Sequence, residues 1–199
     1  MLFNTQTLPS QISKPILNNC EFKKIRKNNM KHGDDSDLSD VLETLEMGDL
    51  VEYYTNGRFS MHNLIEYILR ATGPANVLIA TWAMTEAPLR TLQRLKSEGE
   101  ILKLECMLEH KVPGHNPKSY AFAKAFFDDI WLGRNHAKVG VIENEDWGVV
   151  ITTSANLTRN RRIEAGDIKC SIESAKFNRD WITQQIGRAS CRERVWSDV

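Results

Sequence analysis

A histidine and a lysine two residues apart, His136 and Lys138, stand at the start of one apolar run. A serine and an asparagine two residues apart, Ser154 and Asn156, stand at the end of the next. Side chains of a strand alternate, so residues two apart point the same way. His136 and Lys138 are therefore predicted on one side of the first strand, with Ala137 and Val139 on the other. The polar stretch Glu143 to Asp146 predicts a hairpin-like turn, and Trp147 to Thr153 the partner strand. An imidazole, an ammonium, a hydroxyl and an amide are thus carried to one edge. One of them can move a proton near neutral pH, and the others can hold an anion.

The elements that must position this edge follow in order. Val51 to Arg58 reads as a short strand. Ser60 is placed to cap a helix whose stripe is Met61, Leu64, Ile65, Ile68 and Leu69, ended by Gly73-Pro74. Asn76 to Trp82 is a near-continuous apolar run of strand length, as expected of a strand buried on both faces. A helix is predicted over Thr85 to Ser97, a strand over Ile101 to Leu108, a helix over Lys118 to Phe127 and a strand-like approach over Asp129 to Leu132. Strand, helix, strand, helix, strand with short loops predicts a central sheet covered by helices on both faces, with its site at strand ends.

His136-x-Lys138 followed by Ser154-x-Asn156, with Glu164 beyond, resembles the signature of the phospholipase D superfamily, in particular its single-signature bacterial endonuclease-like branch. The stretch from Ser154 to Glu164 looks especially like the phospholipase D-like proteins of bacteria and their phages. Two positions depart from the pattern: Glu143 stands where the family has Asp, and Thr153 where a Gly usually precedes the Ser. The resemblance implies an α/β fold, a central mixed sheet flanked by helices on both faces, as a phospholipase D-like half. It also implies a metal-independent phosphodiesterase working through a covalent phosphohistidine. A phosphodiester is a poor electrophile until the charge on its oxygens is neutralised, and its leaving alkoxide needs a proton. In the implied scheme His136 is nucleophile or acid, Lys138 and Asn156 hold phosphoryl oxygens, Ser154 adds a donor, and Glu164 orients the imidazole. No other His-x-Lys occurs in the chain. The second histidine is then expected from a second copy, as a two-fold homodimer, or from sequence beyond the tail.

Arg134, Arg159, Arg161 and Arg162 flank the signature and are candidates for substrate binding. The last three read equally as a solvated loop. These cations favour a nuclease acting on DNA. The alternatives are a lipid phosphodiesterase and a non-catalytic DNA-binding module of a phage or mobile-element system. No cofactor and no metal is expected. Cys106, His110 and His115 match no standard zinc spacing.

At 199 residues, 41% hydrophobic and 26% charged, the chain predicts one globular domain, and no apolar run approaches the roughly 20 residues of a bilayer span. The start of the chain lacks a secretory pattern, and the unpaired spacing of Cys20, Cys106 and Cys170 fits reduced thiols, so a cytoplasmic protein is expected. Residues 1–37 read as a disordered arm with a basic cluster at Lys23, Lys24, Arg26, Lys27 and Lys31. The segment Asp34 to Glu52 reads as an acidic surface helix, and 38–185 as the phospholipase D-like domain. Residues 186–199 read as a non-native tail, because Ile186 to Val195 resembles a translated sequencing adapter. Without those ten residues, which hold Arg188, Arg192, Arg194 and Glu193, the formal charge drops from zero to minus two.

Overall fold

The computed structural model describes residues 21–26, 29–33, 42, 44–159 and 162–196. Among these residues nine strands form one mixed sheet: β1 (Glu21–Arg26), β2 (Asn29–Gly33), β3 (Leu50–Asn56), β4 (Ala75–Thr81), β5 (Ile101–Glu109), β6 (Asp129–Gly133), β7 (Val139–Glu143), β8 (Gly148–Thr153) and β9 (Ile163–Cys170). Their order is β2-β1-β3-β9-β8-β7-β4-β5-β6. The helices are α1 (Met61–Thr72), α2 (Glu86–Ser97), the single turn α3 (Val112–His115), α4 (Pro117–Lys124) and α5 (Ile172–Trp196). The expected α/β architecture is present, and β7 and β8, which frame the polar edge, lie near the centre of the sheet.

Among the described strands only β4–β5 and β5–β6 pair in parallel. A parallel neighbour requires a crossover, and α2 and α4 supply it. The apolar run of β4 shows why it has no polar alternation. Val77 and Ile79 enter the core beneath α1 and α2, whereas Leu78 and Ala80 enter a second core with Val141, Val150 and, from α5, Ala175 and Ile182. Both faces of the central strands are therefore covered, one by α1 and α2 and the other by α5.

α1 starts where sequence places it. Asn63 Oδ1 accepts from the Ser60 backbone N–H at 3.2 Å and from its hydroxyl at 3.1 Å, fixing the first turn. The five stripe residues are each at most 2% exposed. Burial of each contributes about 1.5–3 kcal/mol, so packing rather than helix propensity holds the element. On the opposite face α5 approaches β8 closely enough that a Cβ at Gly148 would lie 2.6 Å from Ile172 Cα. The β7–β8 turn is fixed by Asn144, whose Oδ1 accepts from Asp146 N at 3.0 Å and Trp147 N at 2.8 Å.

Several boundaries differ from the sequence reading. β7 begins at Val139, so His136 and Lys138 lie on the irregular segment that leads into the strand rather than within it. The β1–β2 hairpin falls inside the stretch read as an arm and pairs with β3. Of the acidic segment Asp34 to Glu52, residues 34–41 and 43 lie outside the described residues, Leu42 and Leu45 are in the core, and Leu50 to Glu52 belong to β3 rather than to a surface helix. α5 continues through the first residues of the stretch read as a tail, and Ile186 packs against the second core.

Candidate active site

Three chain segments meet at one edge: the approach to β7, the end of β8 and the start of β9. The ladder between β7 and β8 extends one residue beyond β7, with Thr153 N–H donating to the Lys138 carbonyl at 3.1 Å. Ser154 N–H then donates to the Ala165 carbonyl at 2.9 Å, and Ala165 N–H to Ser154 Oγ at 3.0 Å. The Ser154 hydroxyl donates to Glu164 Oε2. Lys138 Nζ donates to the His136 carbonyl at 2.8 Å and lies 3.5 Å from His136 Nδ1. Burial pushes the Lys138 ammonium below the usual lysine range, and the Glu164 carboxylate opposes that shift. His136, Lys138, Ser154 and Glu164 thus share one small polar cluster. His136 is exposed and Glu164 is buried. Asn156 follows on the same turn, with its Oδ1 buried and unpartnered, and a buried polar atom of that kind is uncommon enough to need a reason.

The departure of His136 and Lys138 from the strand has a physical cause in Asn135, a residue that sequence reasoning missed. Its side chain is 5% exposed. Nδ2 donates to the carbonyls of Thr81 and Met107, each at 3.1 Å, and Oδ1 accepts from Ala137 N–H at 2.9 Å. Its backbone N–H donates to Glu109 Oε2 at 2.9 Å. Every polar atom of the amide is used, so the peptide before His136 is tied to the ends of β4 and β5 and turned out of the ladder. Ala137 packs into the second core while His136 projects to solvent.

Thr153, in place of the expected Gly, also has a role. Its Oγ1 accepts from the Tyr53 hydroxyl at 2.8 Å and from Ala155 N–H at 3.1 Å, which fixes the turn carrying Ser154 and Asn156. Tyr53 reaches it by lying over Gly166, where a Cβ would come within 2.7 Å of the phenol oxygen. Glu143, seven residues after His136, takes no part. It sits at the far end of β7 and accepts from Arg179 Nε of α5.

Arg134, Arg159 and Arg162 are exposed around the edge, and Arg161 lies outside the described residues. Arg159 also acts on His62 at the start of α1. His62 is 8% exposed, with Nδ1 2.6 Å from Ser60 Oγ, and burial first, then Arg159, pushes its pKa down to about 4. The unfolded chain takes up a proton near pH 6.5 that the folded chain refuses until about pH 4. This part of the stability is therefore complete above pH 6.5 and is lost as pH falls toward 4. The expected loss is about 3 kcal/mol. Urea unfolding across that pH range should show it, and His62→Gln should flatten the slope.

Among the described residues no group of three or more His, Cys, Asp or Glu is arranged to hold a metal ion. Cys106 is fully buried, and His110 Nδ1 lies 2.7 Å from Glu109 Oε1. No described helix is long and apolar enough to cross a membrane.

Fold and site together define an α/β protein with an imidazole-bearing polar cluster at the ends of the central strands of a mixed sheet. No family model matches the chain, and no curated protein does. Among solved structures, a polyphosphate kinase from Porphyromonas gingivalis aligns at 11% identity and a TM-score of 0.42, over 59% of this chain and 21% of its own. The matched part spans about a fifth of that protein. The resemblance to the phospholipase D superfamily is corrected by these results. The short signature is present, but it does not extend to a match with any family model.

Proposed function

We propose that this chain is a phosphodiesterase that works without a metal ion through a phosphohistidine at His136, and that its substrate is DNA. The observation that carries the reading is the convergence of His136, Lys138, Ser154, Asn156 and Glu164 on one edge from three separate segments. A ring nitrogen of His136 attacks phosphorus, and the bond from phosphorus to the leaving oxygen breaks. The alkoxide takes a proton, and water then cleaves the nitrogen–phosphorus bond to give a phosphate monoester and the free imidazole. Lys138 and Asn156 neutralise and hold the phosphoryl oxygens, and Ser154, oriented by Glu164, adds a hydroxyl. The exposed Arg134, Arg159 and Arg162 suit a polyanion, whose backbone they would grip on either side of the scissile bond.

The leaving oxygen needs its own proton donor. His62, at the start of α1, is buried and uncharged at neutral pH, and His110, after β5, has its Nδ1 2.7 Å from Glu109 Oε1. The donor is assigned to His136 of a second copy in a two-fold homodimer, because an isologous interface brings the same residue to both sides of its axis. The test is incubation with plasmid DNA and with single-stranded circular DNA in excess chelator, alongside a native mass measurement at the same protein concentration. Nicked or linear product from a dimer is expected. Tight, salt-sensitive binding without cleavage would overturn the enzymatic reading, and cleavage by a monomer would overturn the shared site.

A further inference from the structure

Trp82 is the residue that neither the signature nor the core explains. It ends the apolar run of β4, in which Val77 to Thr81 are buried, yet it is 44% exposed. Its ring centroid lies 5.7 Å from that of His136, with the planes inclined at 48°. The backbone on both sides is held firmly. The Thr81 carbonyl accepts from Asn135 Nδ2 at 3.1 Å. The Thr81 hydroxyl donates to the Ala83 carbonyl at 3.0 Å and accepts from Leu157 N–H at 3.2 Å. Met84 bridges Leu157, and its carbonyl accepts from Asn116 Nδ2 at 2.9 Å. A large apolar ring is therefore fixed in water beside the reacting imidazole, although burying it would be favourable.

We propose that the Trp82 indole is a stacking platform for an unpaired base of single-stranded nucleic acid, held next to the phosphodiester at His136. The position of that phosphodiester rests on the phosphodiesterase reading, whereas the stacking stands without it. A flat aromatic face accepts any base, and the exposed arginines at the same edge meet the backbone, which is the combination single-strand binding uses. In an intact duplex the bases are paired inside the helix and out of reach of the ring. A strand with an unpaired nucleotide beside the cleaved bond is thus the preferred substrate.

The test compares two labelled oligonucleotides of equal length and charge, one of thymidines and one of abasic sites. Fluorescence anisotropy on ice follows their binding to the wild-type chain, Trp82→Ala and Trp82→Phe. The Ala variant is expected to bind the thymidine strand about tenfold or more weakly, with abasic binding unchanged. The Phe variant keeps a ring and should stay within about threefold of wild type. Equal weakening for both strands, no weakening for either, or no wild-type preference for the strand with bases would overturn the proposal. Loss of base-dependent binding in a protein that cleaves nothing would sink the phosphodiesterase reading and keep the platform. Cleavage with no effect of Trp82→Ala would do the reverse.

Discussion

Replacing His136 with Ala is expected to lower phosphodiester cleavage by about 10⁴-fold or more while leaving stability within about 0.5 kcal/mol of wild type. The two halves of this expectation have separate causes. His136 is exposed, and its ring touches Trp82 and lies at the edge of hydrogen-bonding range from Lys138, so truncation opens no cavity in either core. The chemistry, in contrast, loses its nucleophile and, in a shared site, its acid as well. Residues that act as one unit do not add, so combining His136→Ala with Lys138→Met should cost little more than His136→Ala alone. Steady-state cleavage of a labelled oligonucleotide, with a urea melt of each variant, measures both halves.

Lys138→Met is expected to reduce kcat by about 10² to 10³-fold, the usual effect of removing one donor aimed at developing phosphoryl charge. Methionine keeps an unbranched stem, so packing along the partly buried chain is preserved and the ammonium is what disappears. The lost hydrogen bond to the His136 carbonyl, 2.8 Å in the native chain, adds some freedom to the approach segment. Asn135 still anchors that segment through three side-chain hydrogen bonds. An effect confined to KM would show that Lys138 binds substrate and transition state equally, and would contradict the role assigned to it.

The scaffold was legible wherever its cause is local. The run of β4 lacks alternation because Val77 and Leu78 face different cores, and the α1 stripe and its Ser60 cap follow from helical spacing. The site was legible as residue types but not as geometry. Spacing alone offers only the rule of alternation, which puts His136 and Lys138 on a strand. The side chain that pulls them off the ladder, Asn135, acts through carbonyls of Thr81 and Met107, far away in sequence. Thr153 looked like a plain departure from pattern, and its partner Tyr53 is one hundred residues away. Trp82 read as the last apolar residue of a buried strand, and its exposure comes from where β4 ends relative to β5 and β7. The β1–β2 hairpin has the same kind of cause, since β3 supplies its neighbour. The family resemblance rested on a handful of positions, too few to carry a match across the chain.

The most direct measurement is a rapid quench of wild-type chain with an oligonucleotide substrate, followed by digestion without acid and peptide mass spectrometry. A phosphoryl adduct on the peptide containing His136, absent from His136→Ala, is the expected result. Turnover with no adduct on that peptide at any quench time would contradict a phosphohistidine mechanism.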